Sequence, residues 1–441
     1  MKSTIVKLLA LVILLQFTSC MEVNKPYNLI APGMWRAELS LTPSTVTPNK
    51  KGEPLKEKLN INFDEVTEGK LPFNFEVEYV SDSMFTMTII NGEERILVDD
   101  ISFGRDRKTG KDTLLANFPE YDSYIKALCE GSIMAGEFVI KSKEDFKIPF
   151  IAKFGKSYRF TDLRKKPAID MSGNWEVNFD INTPAPYNAI GVFKQAGNKL
   201  TGTFKTETGD FRYLEGTIQD KKLYLSCFDG AHAFLFEGKI QKDGSIQGSF
   251  RSGLSEPSIW AAKRNPAFKL NDPYNITKAK SSNPIDFNFP DENGKMVSLK
   301  SAEYKGKLKL IQIMGTWCPN CKDESKLLSE ISKEYQGKNL AIIGLSFERY
   351  EDPKQAQALI ARYRNILGIK YAILHGGPAK REEAIKFLPF MNELVAYPTL
   401  LVLDSNDKII KIHTGFAGPA TDEYAQFKNE LKALLDQNLK E

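Results

Sequence analysis

The sequence predicts a multidomain chain in which two all-β units stand in tandem before a C-terminal α/β domain. Short alternating segments such as Phe73-Asn74-Phe75-Glu76-Val77-Glu78-Tyr79 and Leu223-Tyr224-Leu225-Ser226-Cys227-Phe228 recur between turn residues up to about residue 265. Parts of that region repeat at an offset of 110 residues. Beyond residue 284, apolar strands alternate with amphipathic helices. A chain of 441 residues, 42% hydrophobic, has enough apolar material for two or three cores. Its net charge of +4, without a basic stripe or charge block, argues against nucleic acid as a partner.

At the N-terminus, Lys2 and Lys7 precede and flank an apolar run from Ile5 to Phe17 that is too short for an ordinary spanning helix and ends at Thr18-Ser19-Cys20. This resembles a bacterial lipoprotein signal. Residues 1–20 are therefore expected to be a signal peptide, with Cys20 as the lipid anchor of a membrane-tethered periplasmic or cell-envelope protein. A plain secretory signal cleaved nearby is the alternative.

The first β-rich unit is expected over residues 27–160 and the second over 168–265. Leu115-Ala116-Asn117-Phe118 matches Leu225-Ser226-Cys227-Phe228, and Ala152-Lys153 matches Ala262-Lys263, both without a shift. Gly33-Met34-Trp35 and Gly173-Asn174-Trp175 open the two copies. Chance similarity between strand-rich segments is the competing explanation. Cys129 and Cys227 do not fall on equivalent positions and read as small buried apolar side chains in preference to a disulfide between copies. Trp35, Trp175 and Trp260 read as core anchors. His232, a single histidine in a loop, supports no site of its own.

Residues 266–283 read as a polar linker containing Asn271-Asp272-Pro273. In the C-terminal domain, residues 284–441, strands are expected at Leu308–Met314, Leu340–Phe347 and Tyr371–Leu374, with a hairpin of Thr399–Leu403 and Ile409–His413. Helices are expected from Cys321, over Lys354–Leu367, over Lys380–Met391 and over Asp422–Leu439.

The chemistry lies in Trp317-Cys318-Pro319-Asn320-Cys321, two cysteines three apart where a strand hands over to a helix. Free backbone N–H groups and the helix dipole favour a thiolate at Cys318, whose pKa is expected to fall below the free value of about 8.5. Cys321, a turn further in, is expected to be shielded. Half of a zinc site and an inert structural disulfide are the other readings of such a pair. Zinc would need two more ligands, and Cys20, Cys129, Cys227, His232, His375 and His413 are scattered singly.

Residues 284–441 resemble the thioredoxin superfamily and, within it, the TlpA/ResA-like periplasmic thiol-disulfide oxidoreductases. The resemblance rests on Phe287-Asn288-Phe289-Pro290, Asn293-Gly294-Lys295, Val297-Ser298-Leu299, Tyr304-Lys305-Gly306-Lys307, Gly315-Thr316-Trp317-Cys318 and Tyr397-Pro398-Thr399. It implies a thioredoxin fold and a disulfide reductase that works through a redox-active Cys318–Cys321 disulfide, with no metal and no other cofactor. Cys318 would attack a partner disulfide and Cys321 would resolve the mixed disulfide. Trp317, Pro319, Tyr397, Pro398 and Thr399 would contact substrate, with Pro398 in a cis-proline loop that leaves the Tyr397 main chain free to pair.

Glu324 matches the acid that ResA-like proteins carry near the disulfide. It lies three residues beyond Cys321, on the same helical face, where a buried carboxyl could take the proton Cys321 must lose. A solvated glutamate serving only the helix dipole is the alternative. Gln312 stands where ordinary thioredoxins have a buried aspartate, which raises the weight on Glu324. Proline directly after the first cysteine departs from many members of the family and occurs in more oxidising ones, so the sequence favours reduction without fixing the direction.

The expected partners are protein thiols and disulfides of the cell envelope and a membrane-embedded electron donor. Two rivals belong to other classes. One is a binding or adaptor lipoprotein whose β-units capture a peptide or glycan. The other is a peroxidase, disfavoured because Thr316 lies two positions before Cys318 where a peroxidatic site has three, and because the expected proline is absent.

Overall fold

A computed structural model describes residues 29–42 and 66–439. The expected signal peptide and Cys20 lie outside the described residues. Among those described, no helix is long and apolar enough to cross a membrane.

The first nine-stranded antiparallel sheet runs from Gly33–Ser40 to Lys147–Phe154. Those two strands pair with each other, so two meanders meet back to back. Strict alternation decides which faces turn inward: Phe85, Met87 and Ile89 are buried along one strand while their neighbours are not. The second sheet runs from Gly173–Phe179 to Ser258–Arg264. All its strands except the two-residue Gly209–Asp210 close into a ring, completed by pairing of Tyr187–Ala196 with Lys199–Thr206. Closure removes the exposed strand edges that an open sheet keeps.

The two sheets repeat one plan. Trp35 lies opposite Phe154, and Trp175 lies opposite Arg264, the residue 110 further on. Each indole N–H donates to the carbonyl four residues earlier, Ala31 or Met171, at 2.9 Å. Gly33 and Gly173, with φ of 103° and 100°, hold the same left-handed turn before them. Trp35, Trp175 and Trp260 are all buried core side chains. Cys129 and Cys227 are free thiols in separate cores.

The sheets are also joined. Phe228 of the second sheet packs within 4.4 Å of Phe73 and 4.9 Å of Phe138 in the first. Arg159, on the connection between them, donates to Ile90 O at 2.6 Å, Asn91 Oδ1 at 2.9 Å and Ser226 O at 3.0 Å.

The expected linker is packed down. Thr277 N donates to Thr414 Oγ1 at 3.2 Å, and Ala279 pairs with Met391. The C-terminal domain has the thioredoxin-like fold: five strands ordered Ala372–Pro378, Leu340–Glu348, Leu308–Met314, Thr399–Leu403, Ile409–Thr414. The first three are parallel and the hairpin is antiparallel. Helices α1 (Pro319–Glu334), α2 (Pro353–Leu367) and α3 (Glu423–Asn438) bury Leu327, Ile360, Tyr363, Phe427 and Leu431 against one face. The central strand is buried on both sides, as parallel strands under two layers are.

One expected helix is not there. Over Lys380–Met391 only one turn, Arg381–Ala384, is helical, followed by a tighter turn at Ile385–Phe387. Pro389 bars the α region to the residue before it, and Leu388 accordingly sits at φ −120°, ψ 60°. The apolar spacing there serves burial of Ala384, Leu388 and Met391 against the other sheet face instead.

Candidate active site

The cysteine pair is positioned by the end of the central strand. Leu308–Met314 delivers the chain to Gly315 and Thr316, and Cys318, extended at φ −107°, ψ 110°, caps α1 with Pro319 in the first helical position. Cys321 N donates to Cys318 Sγ at 3.3 Å. Any negative charge on that sulfur would therefore meet a free helix N-terminus. Cys318 is 7% exposed and Cys321 fully buried, so only the first sulfur faces the surface. Burial, with the neighbouring Cys318 and Glu324, pushes the Cys321 thiol well above its ordinary range.

Glu324 lies in the core beneath the pair, fully buried, with neither oxygen hydrogen-bonded in normal geometry. Burial raises its carboxyl to about 8, and the nearby Gln312 amide offsets this only in part. Gln312 is itself engaged, donating to Cys321 O at 3.1 Å and accepting from Ser325 Oγ at 2.9 Å.

The approach to Cys318 is framed by aromatic rings. The Trp317 indole N–H donates to Phe347 O at 2.9 Å, and its ring lies edge-on to Tyr397 at 5.4 Å with the Arg349 guanidinium 4.3 Å above it. The Tyr397–Pro398 bond is cis, and Cys318 Sγ lies 3.6 Å from Tyr397 O. Pro319 and Thr399 are buried, and the Thr399 hydroxyl donates to Ala396 O at 2.8 Å, so it holds the loop and does not face the mouth.

Sequence reasoning missed Glu348. This buried carboxyl accepts from Thr316 N at 3.0 Å and Thr316 Oγ1 at 2.8 Å, and Ser346 Oγ donates to it at 2.5 Å, fixing the turn before Cys318. Burial raises its pKa, partly countered by these donors. An available signal was an acid ending the strand that pairs in parallel with Leu308–Met314, where Met314 meets Ser346.

The AhpC/TSA family matches residues 282–412. The chain is 29% identical over 131 residues to the thioredoxin-like protein YneN of Bacillus subtilis, covering 30% of this chain and 68% of that one. It is 24% identical over 131 residues to the thiol-disulfide oxidoreductase ResA of Halalkalibacterium halodurans, covering 30% of this chain and 66% of the relative. A solved thiol-disulfide oxidoreductase of Bacteroides fragilis aligns with 35% of this chain and 99% of its own, at 20% identity and a TM-score of 0.27. The two nine-stranded sheets lie outside the matched stretch.

Proposed function

We propose, from the premise that residues 282–412 form an AhpC/TSA-family domain with relatives among the thiol-disulfide oxidoreductases, that this protein exchanges electrons with disulfides of other proteins through Cys318 and Cys321. The observation that carries the reading is a sulfur at a helix N-terminus that keeps slight exposure, with a second sulfur fully buried one turn behind it.

In the reducing direction the Cys318 thiolate attacks a substrate disulfide; one substrate sulfur becomes half of a mixed disulfide and the other leaves as a thiolate that takes up a proton. Cys321 then loses its proton to the ionised fraction of Glu324 and attacks Cys318 Sγ, releasing the second substrate thiol and closing the Cys318–Cys321 disulfide. Two electrons pass to the substrate, and a membrane-embedded thiol donor would restore the dithiol. Trp317 and Tyr397 form the contact surface, shaped by the buried cis Pro398. The compartment we infer is the cell envelope, with Cys20 as the lipid tether and envelope proteins as substrates.

The test is exchange in the reduced full chain, followed by thiol counting. Cys318→Ser should abolish it, and Cys321→Ser should accumulate mixed disulfides. Full activity of the Cys318 variant would remove the mechanism, and rapid peroxide consumption with sulfenic acid at Cys318 would favour a peroxidase.

A further inference from the structure

The β-sheets pack against the ground around Cys318. The two-residue strand Gly209–Asp210 stands outside the closed ring and reaches the first turn of α1. Asn320, between the two cysteines, donates to Asp210 O at 3.2 Å and Phe416 O at 3.4 Å. Gly209 has φ 134°, and a Cβ there would stand 2.4 Å from Asn320 Nδ2 and 2.9 Å from Phe416 O, so the approach is as close as backbone allows. Gly418 N donates to the Asp210 carboxyl.

Arg212, almost fully buried, binds three carboxyls from three parts of the chain: Glu94 of the first sheet at 2.7 Å, Asp229 of the second at 3.6 Å, and Asp323 of α1. The first sheet adds Glu120 to Lys322, and Asp122 to Tyr350 and Arg362. Cys318 is thus walled beside Asn320 and beyond Tyr350, while Trp317, Arg349 and Tyr397 remain half-buried.

We propose that the Thr208–Arg212 loop is a specificity element of the redox site. It is a fixed wall that admits small disulfides, and disulfides on narrow extended segments, along the Trp317 and Tyr397 side. It turns away disulfides set in folded protein surfaces. The exchange step is unchanged: Cys318 attacks, Cys321 resolves, and two electrons leave the dithiol. This rests on the reading of Cys318 as the attacking thiol.

The experiment compares reduction of glutathione disulfide and of native insulin by the reduced full chain. The readout is the ratio of the two rates, because a change in thiolate reactivity alone moves both. Arg212→Ala and Asp323→Ala remove opposite ends of one ion pair, so loss of fold in one leaves the other. In either variant the insulin rate should rise about tenfold relative to the glutathione rate, a difference of the size that a few lost contacts produce. A ratio unchanged in every variant that folds overturns the proposal. Reduction of neither disulfide by the unaltered chain would instead refute the reducing direction of exchange on which this proposal rests.

Discussion

Burial, with neither oxygen hydrogen-bonded, holds the Glu324 proton near neutrality, and in the proposed mechanism that one group links redox chemistry to stability. Its ordinary value is 4.5 and burial raises it to about 8. The folded chain therefore keeps a proton that the unfolded chain gives up, and this contribution is fully present below pH 4.5 and lost as pH rises through 8. Glu324→Gln should flatten that loss and, at pH 7, raise stability by about 3 kcal/mol, the order set by a pKa raised this far. Urea unfolding at pH 5 and pH 8 measures it; equal pH slopes in both proteins would place the carboxyl in contact with water. The same variant should slow resolution of the mixed disulfide by about 100-fold, the scale of a lost general base. Rapid quenching against pH gives the rate. Thr316→Val would remove one of two donors from Thr316 to the buried Glu348 carboxyl, at a cost of about 1–3 kcal/mol.

At the scale of elements, the repeated sheets and the redox sheet were read from different signals. Alternation and the offset of 110 residues show two related β-units because a strand buried on one face must alternate. Ring closure was not legible, since it depends on Lys199–Thr206 meeting Leu214–Gln219 past the short strand Gly209–Asp210, while the counterpart sheet stays open between Glu94–Val98 and Ile101–Arg105. The Lys380–Met391 segment misled for a related reason: apolar spacing records burial, and Pro389 decides against a helix. Phe228 belongs to a strand of the second sheet but fills the first core. Phe228→Ala should therefore cost about 3–5 kcal/mol. Because one side chain serves both sheets, loss of tryptophan fluorescence and of far-ultraviolet strand signal should coincide on chemical denaturation; separate transitions would show that the sheets unfold independently.

Across the whole molecule, Arg212 gathers carboxyls from both sheets and from α1. Arg212→Ala would leave two buried acids, Asp229 and Asp323, and the partly exposed Glu94 without their shared cation and should lower stability by about 3–5 kcal/mol, as lost partners of buried charges do. Partial recovery in Arg212→Ala/Asp323→Ala, read by urea midpoint, would identify the stranded Asp323 as part of that cost. The direction of exchange is also a property of the assembled site. A Cys318/Cys321 reduction potential near or below about −230 mV, measured by equilibration with thiol-disulfide buffers, would fit a reductase, and one near about −120 mV an oxidant.

The residues 315–324 and 397–399 carried the candidate site in plain view, because helix capping, the turn before it and the proline loop are local features that fix residue type at fixed spacing. Glu324 was legible for the same reason, one helical turn from Cys321. Glu348, Asp210 and Arg212 were not, since each reaches the site only through strand pairing or contact between sheets. Sequence distance hides such neighbours: Arg212 and Asp323 are 111 residues apart and touch only where the second sheet meets α1. Local chemistry thus carries the exchange proposed for the cysteines, because it depends on residue type at fixed spacing, while long-range packing decides what surrounds them.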